Sequence, residues 1–143
     1  NRSNLLSDAR RISARALIGK MYFFKYEAKH KETLPQWDRY PLVIPMDITD
    51  NGFLGLNLHY LDPYNRLALL DKLHDFINND KYDDSTVFRL SYNLLSSSRR
   101  YRMIEPCIKR YLLEYVRSPL IYIEPNNWET AIFLPTEKMV YRQ

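Results

Sequence analysis

The stretch Leu42-Val-Ile-Pro-Met-Asp-Ile-Thr-Asp-Asn-Gly-Phe-Leu-Gly-Leu-Asn-Leu-His-Tyr-Leu61 decides the fold. Its apolar runs at 42–48 and 53–61 flank Thr49-Asp50-Asn51-Gly52, and Asn-Gly between such runs signals a tight type I′ hairpin turn. Alternation along the second strand puts Leu54, Leu56, Leu58 and Tyr60 on one face. Phe53, Gly55, Asn57, His59 and Leu61 take the other, so one face is core and the other is mixed.

Upstream, residues 21–27 place Tyr22, Phe24 and Tyr26 on one face, the period of a strand. The polar stretch 28–40 shows no period and reads as a contact loop. Trp37 in that stretch has two readings, a partner anchor or a roof over the core. Downstream, Asp62-Pro63 starts a helix to about Asn78, because Asp caps free amides and Pro has no N–H to waste at the first position. Leu67, Leu70, Leu73, His74 and Ile77 form its expected buried stripe. Ser85 caps a second helix to about Ser97, with Phe88, Tyr92 and Leu95 on its inner face, and Ser96-Ser97-Ser98 breaks it. Ile104, Ile108, Tyr111, Leu112, Tyr115 and Val116 predict a third helix over 104–117. Pro119 ends it, residues 120–123 form a strand, and Asn126 or Asn127 caps a last turn over 128–133, stopped by Pro135. The expected class is α+β: a small antiparallel sheet built on the hairpin, packed against about three helices.

The first twenty residues carry the whole net charge of +4, with Arg2, Arg10, Arg11, Arg15 and Lys20 opposed by Asp8 alone. The expected division is a basic arm over 1–20 and a single domain over 21–143. Leu5, Leu6, Ala9, Ile12, Ala16 and Leu17 recur at helical spacing, so residues 4–18 read as an amphipathic helix. That helix either packs on its own domain or is completed by a partner, with Arg10, Arg11 and Arg15 pairing with the partner's carboxylates. Composition of 45% apolar and 14% aromatic residues with only three glycines belongs to a folded chain. The single cysteine, Cys107, excludes an intrachain disulfide and fits a reducing compartment, with synthesis in a cytosol. No run is long enough for a membrane span, and no membrane partner is expected.

Chemistry finds little purchase. His30, His59 and His74 lie on separate elements without metal-ligand spacing, and no nucleophile motif or phosphate-cradling glycine loop occurs. Asn57 and His59 share a strand face where a polar pair can line a cleft, so a His59-based hydrolase is the third hypothesis, behind two binding readings. Asp80, Asp83 and Asp84 lack the turn glycine of a calcium loop. No catalytic residue, metal or cofactor is assigned, and the chain reads as a non-enzyme. A second basic cluster, Arg99, Arg100, Arg102, Lys109, Arg110 and Arg117, has Tyr101 among its charges and reads as a nucleic-acid surface. The acidic run at 71–84 on the same body puts head-to-tail protein docking ahead of it, with nucleic acid as the competitor.

The strings Met21-Tyr-Phe-Phe-Lys-Tyr-Glu-Ala-Lys-His-Lys-Glu-Thr-Leu-Pro35, Asp38-Arg-Tyr-Pro-Leu-Val-Ile-Pro45, Gly52-Phe-Leu-Gly-Leu-Asn-Leu-His-Tyr-Leu-Asp-Pro63 and Ala131-Ile-Phe-Leu-Pro-Thr-Glu137 carry a resemblance over most of the chain. It resembles a small family of virion proteins from contractile-tailed bacteriophages, chiefly of marine and cyanobacterial hosts, whose labels include a DNA-end protector. The resemblance implies no catalytic residues. It implies a structural subunit of tail, baseplate or neck, located in the virion and bound to other virion proteins in a symmetric multi-copy assembly. The partner-binding candidates are Arg2, Arg10, Arg11, Arg15, Lys20 and Trp37. The alternative is a protein that contacts the packaged genome or its end, through the arm and Arg99, Arg100 and Arg102.

Overall fold

The computed structural model describes residues 12–13, 16–27, 36–131 and 139–141, with 12–13, 36–37 and 139–141 as backbone only. The strands are β1 (Ile12–Ser13), β2 (Met21–Phe23), β3 (Gln36–Asp38), β4 (Leu42–Thr49), β5 (Gly52–Asn57), β6 (Ile108–Leu112), β7 (Leu120–Ile123) and β8 (Met139–Tyr141). The helices are α1 (Pro63–Ile77), α2 (Asp84–Ser98) and the single turn α3 (Trp128–Ala131). Six strands form an antiparallel sheet in the order β1-β7-β2-β4-β5-β6, while β3 and β8 pair separately. The α+β class expected from the sequence is the one observed.

The β4–β5 hairpin forms as expected, but not its turn. Thr49 pairs with Gly52, which leaves Asp50 and Asn51 as the two turn residues. No described non-glycine residue has a positive φ, and Gly19 is the sole described glycine that does. A type I′ turn needs positive φ at both central positions, so this turn is of another type. Gly52 serves a close approach instead: a Cβ there would stand 1.9 Å from the backbone oxygen of Tyr111 on β6. Farther along the hairpin the register shifts between Pro45 and Asp47. Pro45, with no N–H for the ladder, sits where a bulge tolerates it, and its oxygen accepts from Gly19 N at 3.1 Å.

Alternation along the strands builds two cores. On one face Met21, Phe23, Leu42, Ile44, Leu56, Ile121 and Ile123 pack with Leu69, Leu70 and Leu73 of α1, Leu95 of α2 and Trp128 of α3. On the other, Tyr22, Phe24, Tyr26, Val43, Phe53, Tyr111 and Leu120 form a mostly aromatic cluster, in which Phe24 meets Tyr111 edge-on at 5.5 Å. Tyr22, Phe24 and Tyr26 share a face as the sequence predicts.

Helix α1 starts at the expected place, with Asp62 Oδ1 accepting from Asn65 N at 3.0 Å and Pro63 leading the first turn. Its buried side is Leu69, Leu70 and Leu73, and Leu67 is exposed. The cap of α2 is Asp83, not Ser85, with Oδ1 accepting from Thr86 N at 2.8 Å. Its expected inner face is also corrected. Ser91, Leu95 and Ser98 are buried, while Phe88 and Tyr92 are exposed and stacked on each other with centroids 6.4 Å apart. The spacing is the same but rotated, because the small Ser91 lets α2 approach Gly19, whose added Cβ would lie 3.2 Å from Ser91 Cβ.

The expected third helix over 104–117 does not exist. A 3-10 turn at Glu105–Cys107 leads into β6, and a second 3-10 turn spans Leu113–Tyr115. Ile108 and Tyr111 go to opposite sides of the sheet, into the helix-side core and the aromatic cluster respectively. The strand wins because β5 offers an unpaired edge: five residue pairs, from Gly52 with Leu112 to Leu56 with Ile108, satisfy the ladder, and β-branched and aromatic side chains suit a pleated surface. Residues 36–38, read as loop, form β3. Ile12–Ser13, inside the span read as helical, is instead extended and paired with β7, and residues 16–20 make a turn around Gly19. The rest of the 4–18 helix reading lies outside the described residues, as does the loop reading at 28–35. Among the described residues no helix is long and apolar enough to cross a membrane.

Candidate nucleic-acid interface

Helix α2 ends in three serines, and the hydroxyls of the last two bond the helix's own carbonyls. Ser97 Oγ donates to Leu94 O at 3.1 Å and Ser98 Oγ to Leu95 O at 2.7 Å. The chain then folds into a tight turn, with Tyr101 N donating to Ser98 O and Ile104 N to Tyr101 O, both at 3.0 Å. Glu105 N also donates to Tyr101 O at 3.1 Å. Ile104 and Cys107 are buried and pin this turn to the body, and Cys107 Sγ donates to Met103 O at 3.4 Å. Between buried Ser98 and buried Ile104 stand five consecutive exposed residues, Arg99, Arg100, Tyr101, Arg102 and Met103. The result is a fixed backbone that displays three guanidiniums, one ring and one thioether.

None of the three arginines forms an ion pair among the described residues. Arg100 leans over the Tyr101 ring at 5.9 Å, and Tyr101 and Met103 are each 53% exposed. Complementing the α2 dipole accounts for one cation at the helix end, worth about 0.3–1 kcal/mol; it does not account for three. Of the other members of this basic cluster, Arg110 is exposed on the edge strand β6. Lys109 Nζ rests on the Tyr60 ring at 4.6 Å. Arg117 is withdrawn from the cluster: it pairs with Glu27 at 3.4 Å and donates to Glu114 O.

The remaining candidates are scattered. Lys20 is half-buried beside a groove of about 320 Å³ lined by Leu17, Ile77, Val87 and Phe88. Trp37 lies on β3 opposite Val140, and its side chain lies outside the described residues. So do Arg2, Arg10, Arg11 and Arg15.

The sequence did not point to Asp38, which organises a buried polar network. Its Oδ2 accepts from Asn57 Nδ2 at 3.1 Å and meets His59 Nδ1 at 2.6 Å, and its Oδ1 accepts from Tyr40 N at 3.0 Å. Asn57 Nδ2 also donates to the Tyr111 hydroxyl at 3.0 Å. Burial pushes that hydroxyl well above the usual phenol range, with the nearby Asp38 charge adding to the rise. A His59-based hydrolase would need such a carboxylate, but the two side chains are only 1% and 4% exposed. Their arrangement ties β3, β5 and β6 together through buried side chains. His59 Nε2 is buried and has no hydrogen-bond partner among the described residues. Cys107 is a core thiol that burial pushes up, so little reactive thiolate forms. Among the described residues no three His, Cys, Asp or Glu side chains are grouped to hold a metal ion.

Charge is separated along α2. Asp71, Asp75, Asp80, Asp83 and Asp84 are exposed on α1, the connection and the start of α2. The arginine tip follows its other end, about 22 Å away for fifteen residues of helix. The basic end of the body is therefore open to an anionic partner that stays clear of the acidic end. Comparison with curated proteins and with solved structures gives no match. A protein-family model described as the phage T4 terminal DNA protecting protein matches residues 7–143. With that match over nearly the whole length, the chain belongs to the phage T4 terminal DNA protecting protein family.

Proposed function

We propose that this phage protein binds the ends of linear duplex DNA and shields them by occupancy, without turnover. The observation that carries the reading is the pinned tip Arg99-Arg100-Tyr101-Arg102-Met103, whose arginines stand exposed and without ion pairs among the described residues. Membership of a family of terminal DNA protecting proteins supports the same partner. Arg99, Arg100 and Arg102 contact phosphates, and Arg2, Arg10, Arg11, Arg15 and Lys20 extend that contact along the duplex.

The test is fluorescence anisotropy of an end-labelled duplex across a salt series. Three phosphate contacts give a log–log salt slope of about −2.7, or about 40-fold weaker binding between about 50 and 200 mM salt. Replacing Arg99, Arg100 and Arg102 by alanine should flatten the slope of the intact chain by about that amount. An unchanged slope in the triple variant would remove the tip from the interface.

A second reading, a tail, baseplate or neck subunit docking on other virion proteins, has one specific observation behind it. Phe88 and Tyr92 stack on each other at the surface of α2, and Phe88 is 51% exposed beside the groove that Leu17 and Lys20 line. No binding to DNA, or weak binding that ignores both salt and the triple substitution, would favour that reading.

A further inference from the structure

A protein that prefers DNA ends must touch something the interior of a duplex lacks. Phosphates and grooves are the same throughout the rod; the unstacked face of the last base pair exists only at a terminus. That face is a flat π-surface, and what recognises it is an exposed aromatic ring held at the right height above flanking cations.

The described residues contain five exposed aromatic side chains: Tyr64, Tyr82, Phe88, Tyr92 and Tyr101. Tyr64 stands two residues from both Asp62 and Arg66, and Tyr82 has Lys81 on one side and Asp83 on the other, so neither ring lies between cations. Phe88 and Tyr92 stack on each other, and a single arginine, Arg89, stands beside Phe88. Tyr101 alone among them is flanked in sequence by arginines, Arg100 and Arg102, and its backbone is fixed from both sides by hydrogen bonds to Ser98 O and from Ile104 N. Met103, equally exposed, adds a polarisable apolar contact beside the ring.

We infer that Tyr101, with Met103 beside it, caps the open face of the terminal base pair while Arg99, Arg100 and Arg102 hold the last phosphates. The inference rests on the DNA-end reading and adds to it the atom group that tells an end from an internal site. Stacking of this kind changes affinity by about 5- to 150-fold per base.

The experiment compares an open-ended duplex with the same duplex closed at both ends by hairpin loops, using wild type, Tyr101→Ala and Tyr101→Phe. Wild type should prefer the open duplex. Tyr101→Ala should lose most of that preference, weakening on the open duplex far more than on the closed one, and a far-UV circular dichroism spectrum and urea midpoint like those of wild type show that the variant is folded. Tyr101→Phe should retain the preference, because the ring and not the hydroxyl stacks. A Tyr101→Ala protein that still prefers open ends overturns the capping role and leaves the DNA-end function standing. Equal loss on both duplexes also overturns it, by making Tyr101 a general DNA contact. Wild type that binds both duplexes equally overturns the DNA-end function itself.

Discussion

Gly52 and Asp38 each do work that the identity of the residue only half announces. Asn51-Gly52 announces a hairpin, and the hairpin is there, but Gly52 is required by the backbone of β6 lying against it, not by a left-handed turn. That partner strand is more than fifty residues away in the chain, so no local reading could find the contact. Gly52→Ala should therefore destabilise the protein by about 2–4 kcal/mol, since the added methyl meets main chain that cannot swing aside. Urea denaturation measures it; a change below about 1 kcal/mol would mean that β6 is held more loosely than described. Asp38 was similarly hidden. Its role comes from Asn57 and His59, which reach it from one distant stretch of chain, and from Tyr111, which joins the network from another through Asn57. The Asn57 and His59 pair was legible as a polar face, but a polar face read from alternation alone does not say that a carboxylate closes it off from water.

Elements with local causes were the legible ones. The β4–β5 hairpin, the start and end of α1 and strand β7 follow from turn residues, a capping Asp before Pro, and Pro119. The span 104–117 misled because Ile104, Ile108, Tyr111, Leu112 and Tyr115 satisfy a helical period as a list while the edge of β5 rewards an extended chain. The inner face of α2 is misleading for the opposite reason: the large Phe88 and Tyr92 suit a core, but close packing against Gly19 selects serine. At both long helices the caps make a testable contribution. Hydrogen bonds from Asn65 and Thr86 hold the Asp62 and Asp83 carboxyls below their usual 3.8. A carboxyl lowered in the folded state stabilises fully above the unfolded value and loses that contribution as pH falls through the folded value. Urea titrations of wild type and the Asp62→Asn, Asp83→Asn double variant should diverge accordingly. Asn caps without titrating, so the variant's stability should fall less than the wild type's as pH drops below about 4. Parallel acid limbs would deny the caps this role.

For the whole molecule, function is a matter of where charge and aromatic surface are placed. The first twenty residues hold the net charge, yet the described body is itself polar from end to end, acidic around the α1–α2 connection and basic at the tip beyond α2. The arginines at 99, 100 and 102 were legible as a cluster. That they share one pinned turn, with Tyr101 exposed between them and Arg117 removed by Glu27, required the fold. Exposure and pairing are set by neighbours distant in sequence, and these decide whether a basic run is a solvated surface or a site. The central claim is that this tip covers DNA ends. The most direct measurement is digestion of an end-labelled linear duplex by a processive exonuclease, with protein present in slight excess over ends. Wild type should slow label release in proportion to the ends occupied, and the Arg99, Arg100, Arg102 triple alanine variant should leave digestion near its unprotected rate. Digestion unaffected by the wild-type protein, or protection undiminished in the triple variant, would contradict the account.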